Sequence, residues 1–183
     1  MAQLIVAAGG TGGHIFPALS FALALREHIP GIDVQWVGTR RSREQEVCAL
    51  HGIPLELLDV AGIARKLSPG AIVAVMKFVA ATLKMRMRYQ RYKPTAVVAF
   101  GGYVCAPAMA AAVLTKVPIY IQEQNTVPGL VNRFFSSRAR MNFLGFPLAG
   151  KYRLTGPTLV TGTPVRPRPQ RFDPAVYPAH INL

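Results

Sequence analysis

Residues 7–18, AAGGTGGHIFPA, set four glycines and a threonine between an apolar run of strand character and one of helix character. The first bulky side chain after them is His14. A glycine loop between strand and helix brings backbone N–H groups to an anion, and the helix dipole adds to the attraction. An imidazole beside that end is placed to accept a proton. A second diglycine, Gly101-Gly102, ends the run TAVVAFGG, and Tyr103 follows it. Glu123, in QEQN, is the only carboxylate between Asp59 and Asp173. A lone acid there could orient His14 or bind a sugar hydroxyl. At this level the plainer readings stay open: tight turns for the glycines, a helix cap for the histidine, an arginine's partner for the glutamate.

Three familiar phosphate sites do not fit. In a dinucleotide fingerprint counted from Gly10, Ile15 falls on the last glycine, and Val37 is followed by Gly38, Thr39 and Arg40 where an acid is expected. A Walker loop needs G-K-[ST], whereas this helix opens Gly13-His14-Ile15. No paired DxD carboxylates suggest a metal, and no cofactor is expected. Cys48 and Cys105 are too few for a disulfide framework or a zinc site, so reduced thiols and a cytosolic setting are expected.

The elements that must hold these residues alternate regularly. Strands are expected at 3–8, 33–38, 54–60, 95–102 and 118–122, with helices from about Pro17 to His28, at 42–52, from Pro69 to Tyr92, at 107–115 and near 129–137. Residues 139–145 and 157–162 are possible late strands. This rhythm predicts an α/β fold, a Rossmann-like parallel sheet with helices on both faces. Ligands collect at the carboxyl ends of such strands. The loops at 9–14, 101–105 and 123–129 each follow a strand, so they belong to one rim and one site. From Pro164 to Leu183 five prolines and no periodicity mark a linker or tail.

In order and spacing, GGTGGHIFPAL, VVAFGGYVCAP, QEQNTVPGLVNR and VTGTPVRP resemble the N-terminal half of the MurG-type peptidoglycan glycosyltransferases, over residues 2–167. The resemblance implies half of a GT-B architecture. Residues 1–163 would be the acceptor-binding domain and 164–183 a tail, with the C-terminal UDP-sugar domain absent. It implies inverting, metal-independent transfer of N-acetylglucosamine from UDP-N-acetylglucosamine to undecaprenyl-pyrophosphoryl-muramoyl-pentapeptide, with this chain inactive alone. Gly9, Gly10, Gly101, Gly102 and Tyr103 would cradle the acceptor diphosphate, and His14 would be the general base with Glu123 close by. Thr11, Gly12, Gly13, Asn125 and Arg166 would reach the donor, and Asn132 would order its loop. The second glycine loop departs from the family, since Cys105 and Ala106 stand where serine and glycine are usual. A non-catalytic lipid-diphosphate-binding module and a related lipid-directed transferase are the alternatives.

Lys and Arg total 21 against 8 Asp and Glu, a net charge of +13, which attracts polyanions. Nucleic acid is not expected, because no RNA-binding motif or aromatic stacking platform accompanies the charge. The resemblance implies a peripheral site at the cytoplasmic face of the inner membrane. On the helix of 69–92, Lys77, Lys84, Arg88 and Arg91 fall on one stripe, with Phe78, Met85 and Tyr92 beside them, a pattern suited to anionic lipid. Ile72, Val75, Val79, Leu83 and Met87 are expected on the core side.

Overall fold

The computed structural model describes residues 3–40, 43–60, 62 and 69–165. Its elements run β1 (Gln3–Ala8), α1 (Gly12–His28), β2 (Asp33–Thr39), α2 (Glu44–Leu50), β3 (Leu55–Leu58), α3 (Pro69–Tyr92), β4 (Ala96–Gly101), α4 (Cys105–Thr115), β5 (Ile119–Glu123) and α5 (Leu130–Phe135). A 3-10 turn at Ser136–Arg138 leads into β6 (Met141–Leu144), and β7 (Thr158–Val160) follows. The seven strands form one sheet in the order β3-β2-β1-β4-β5-β6-β7, each pair parallel. The Rossmann-like expectation is borne out. Both late strands form, and α1 begins at Gly12, earlier than the proline suggested.

Alternate residues of each strand face opposite layers. Val6, Ala8, Trp36, Val98 and Phe100 pack with Ile15, Leu19 and Ala22 of α1 and Cys48 of α2. Ile5, Ala7, Val97, Ala99 and Ile121 pack with α3, α4 and Phe135 of α5. The chain therefore reverses its winding between β1 and β4, the adjacent strands at the sheet's centre. Ligands bind at such switch points, outside the carboxyl ends of the strands. The β1–β4 register shifts between Ala7 and Ala8, so the two strands part just where their glycine loops begin.

Helix α3 corrects the membrane-face expectation. Met85, assigned to lipid, is fully buried, and the inward stripe is Ala74, Ala81, Met85 and Tyr89. The residues expected inside point outward: Ile72, Val75, Val79, Leu83 and Met87 are 47–64% exposed. Small alanines let the helix sit close to α4, so the bulky apolar side chains fall on the open face. The basic stripe turns to the sheet edge instead. Lys77 pairs with Asp59 at 3.0 Å, and Lys84 and Arg88 both pair with Glu56 of β3. Arg88 also donates to Gln35 at 2.8 Å. Phe78 is half-buried, while Arg91 stays exposed and lies over the Tyr92 ring. Among the described residues, no helix is long and apolar enough to cross a membrane.

Candidate active site

The first glycine loop is held from three sides. The Trp36 indole donates to the Ala8 carbonyl at 3.1 Å. The Cys105 thiol, fully buried, donates to the carbonyls of Ala7 at 3.1 Å and Gly101 at 3.0 Å, tying β1 to β4 beneath the loops. Burial pushes both thiols up to about 12, so Cys48 and Cys105 remain protonated S–H groups. The third restraint is Glu44, at the first residue of α2, which is completely buried. Its Oε1 accepts from the Gly10 N–H at 3.2 Å and the Thr39 hydroxyl at 3.4 Å.

These contacts explain why several glycines stand where they do. A Cβ on Gly9 would meet Glu44 Oε1 at 2.3 Å, and one on Gly38 would meet the Glu44 side chain at 3.2 Å. A Cβ on Gly102 would lie 2.3 Å from the Gly9 carbonyl oxygen, at a backbone φ of +86°. A Cβ on Gly101 would lie 2.7 Å from His14 Nε2 and Cδ2. The second diglycine thus leaves room for β4 to close on the first loop and for the imidazole to pack against it. Gly13 differs, since its Cβ would meet only Thr11 Oγ1, at 3.7 Å.

His14 is half-buried in the first turn of α1. Its Nδ1 lies 3.2 Å from the Gly9 carbonyl and 3.3 Å from Thr11 Oγ1. A carbonyl only accepts, so the Gly9 contact is a hydrogen bond when Nδ1 carries the proton, and Nε2 then presents a lone pair. Two cavities meet at the ring. One, of about 330 Å³, is lined by Gly10, Thr11, His14, Thr39, Gly102 and Tyr103. The other, of about 260 Å³, runs from His14 and Tyr103 to Asn125 and Leu130. All three expected loops do converge on one rim. As first-turn donors of α1, the Gly12 and Gly13 amides have no intrahelical partner, and no acid occupies that turn.

Two sequence expectations change. Gly10 supplies space but not its donor, because its N–H is already taken by Glu44. Glu123, expected beside His14 in catalysis, has its carboxylate committed elsewhere. Oε1 accepts from the Asn125 backbone at 3.0 Å and side chain at 3.1 Å, and Oε2 from Gly129 N–H at 3.0 Å and Asn132 Nδ2 at 2.8 Å. It is 2% exposed and organises the 124–129 loop, with Asn132 in the ordering role expected of it. Glu44 and Thr39 were missed. Arg166, and the 164–183 tail from that residue onward, lie outside the described residues. Among the described residues no three His, Cys, Asp or Glu side chains cluster as a metal site would require.

A family model for the glycosyltransferase family 28 N-terminal domain matches residues 4–143, the stretch that builds this rim. The chain belongs to glycosyltransferase family 28. Curated relatives include two proteins named UDP-N-acetylglucosamine—N-acetylmuramyl-(pentapeptide) pyrophosphoryl-undecaprenol N-acetylglucosamine transferase. The one from Halalkalibacterium halodurans is 36% identical over 162 residues, 88% of this chain and 45% of that protein. The one from Desulforudis audaxviator is 39% identical over 169 residues, 90% of this chain and 44% of that protein. Acinetobacter baumannii MurG superposes with a TM-score of 0.74 at 31% identity, over 91% of this chain and 47% of its own. This family 28 chain therefore spans about half the length of the curated relatives it matches. UDP-N-acetylglucosamine 2-epimerase from Listeria monocytogenes, at 13% identity and a TM-score of 0.59, shares the fold alone.

Proposed function

We propose that this chain is the acceptor-binding half of an inverting N-acetylglucosaminyltransferase of peptidoglycan synthesis, converting the undecaprenyl-pyrophosphoryl-muramoyl-pentapeptide to its disaccharide form. The observation that carries the reading is His14, whose Nδ1 faces the Gly9 carbonyl and whose side chain lines both cavities framed by the two glycine loops. The Gly12 and Gly13 amides, expected from the sequence to reach the donor, are assigned instead to the acceptor diphosphate, together with the Gly102–Tyr103 edge. The free first-turn donors and the helix dipole favour an anion there. The sugar hydroxyl then meets Nε2. As its oxygen bonds to the donor's anomeric carbon, the proton passes to Nε2 and the carbon–oxygen bond to UDP breaks, its electron pair leaving with UDP. Thr11, Asn125 and Arg166 are assigned to the donor side, whose remaining contacts come from the part of the relatives this chain does not match.

A chimaera joining this chain to the unmatched half of the Desulforudis audaxviator relative tests the reading. His14→Gln is expected to lower kcat by about 10²–10⁴-fold with little change in acceptor KM. An unchanged kcat would overturn it, and the lipid-diphosphate-binding module would take its place. We assign the exposed α3 face, Ile72, Val75, Met76, Val79, Leu83 and Met87, to the anionic cytoplasmic leaflet of the inner membrane, with Arg86 and Arg91 at its border. A contiguous apolar face of this kind marks an interaction site. Val79→Asp is expected to release the chain from anionic vesicles, and undiminished binding would sink the assignment.

A further inference from the structure

His14 is half-buried and lines two cavities, so what fixes its proton matters. Gly9 C=O and Gly10 N–H are the two ends of one peptide unit. The C=O end faces His14 Nδ1 at 3.2 Å and the N–H end donates to Glu44 Oε1 at 3.2 Å. Glu44 has no exposed surface, and its other oxygen has no hydrogen-bond partner among the described residues. Gly9 and Gly38 are glycines against this side chain, and the Thr39 hydroxyl steadies it. A buried carboxylate is therefore braced against the far side of the very peptide that touches the imidazole.

We propose that Glu44 is a positioning residue for His14, acting through the Gly9–Gly10 peptide to hold the imidazole proton on Nδ1. By accepting from the Gly10 N–H, the Glu44 oxygen fixes the peptide plane and polarises it, so the Gly9 oxygen becomes a stronger acceptor. That oxygen then holds the Nδ1–H, and the Nε2 lone pair is left for the acceptor hydroxyl. It is the service a carboxylate gives a catalytic histidine directly in a triad, here relayed through one peptide bond. The relay is sensitive to reach: Glu44→Gln keeps an acceptor oxygen at the Gly10 N–H, whereas Glu44→Asp withdraws it by one methylene.

The proposal rests on His14 serving as the base, but its test needs no turnover. Nitrogen-15 spectra of the 183-residue chain give the tautomer of the neutral His14 ring, and a scalar coupling across the Gly10 N–H to the Glu44 carboxyl carbon reports the bond itself. Wild type and Glu44→Gln are expected to hold the proton on Nδ1. Glu44→Asp and Glu44→Ala are expected to lower that population at least twofold, while Thr11→Val leaves it. If the alanine variant does not fold, the aspartate variant and the wild-type coupling decide. A wild-type tautomer ratio in Glu44→Asp, no coupling in wild type, or a ratio that follows Thr11 instead would overturn the relay. Full transfer by the His14→Gln chimaera would overturn the base reading alone and leave these spectra standing.

Discussion

Two loops of the rim are each built on a buried carboxylate, and they are built differently. Glu123 ends β5 and folds back on Asn125, Gly129 and Asn132, so its four donors come from the nine residues that follow it. Glu44 reaches the β1–α1 loop from another element, 34 residues away in sequence, and takes one amide and one hydroxyl. The Glu123 loop carries its own clamp and is a finished piece of structure. The β1–α1 loop is clamped from outside, by Glu44, Trp36 and Cys105. Its first-turn amides and imidazole are thereby left for a ligand. A loop held by its neighbours has functional groups to spare.

That difference can be broken deliberately. Glu123→Ala strands four donors and is expected to cost about 4 kcal/mol in denaturant unfolding, since bonds to a charged group contribute about 1.5–3 kcal/mol each and do not add fully. Amide exchange should rise at Gly129 while Gly10 stays protected. Gly102→Ala forces a Cβ to 2.3 Å from the Gly9 oxygen at positive φ. It is expected to destabilise the fold by about 3 kcal/mol through overpacking and left-handed strain. The two buried thiols add a pH dependence. Each rises from 9.0 to about 12 on folding, so above pH 9 the unfolded chain holds fewer protons than the native one. Stability is then full below pH 9 and falls as pH climbs toward 12, at up to about 2.7 kcal/mol per pH unit for two thiols. Equilibrium unfolding at pH 8 and pH 10 checks the sign. The smallest effect belongs to Gly13→Ala, whose Cβ makes only an ordinary contact with Thr11 Oγ1 at 3.7 Å and which should stay within about 0.5 kcal/mol of wild type. If it proves as costly as Gly102→Ala, the first loop is not open in the way described.

The same contrast explains how far the sequence could be read. Alternating strand and helix runs carry the fold, because period and turn residues are local properties, and α3 was bounded correctly from Pro69 to Tyr92. Which side of α3 faces inward was not legible. Its bulky residues and its alanines each form a stripe, and close packing on α4 selected the alanines. His14 and the glycine loops were visible as residues of unusual type after a strand. Glu123 was visible for the same reason, but its role depends on four donors that only the folded loop supplies. Glu44 left almost no signal. It reads as the first acid of a short polar helix beside Glu46, and its importance arises from the approach of β2 to β1. Its spacing of three and four residues from Val47 and Cys48, which face the core, is the one hint that it is drawn inward.

Whether the β1–α1 loop and the imidazole meet a diphosphate decides if this rim is an acceptor site. The direct measurement is an amide and imidazole NMR titration of this chain with a short-chain prenyl diphosphate linked to N-acetylmuramic acid. The expected result is saturable shifts centred on Gly12, Gly13, Gly102, Tyr103 and the His14 ring, with Gly129 and the rest of the Glu123 bracket unmoved. Saturation that leaves those five residues unchanged, or no binding at all, would contradict it.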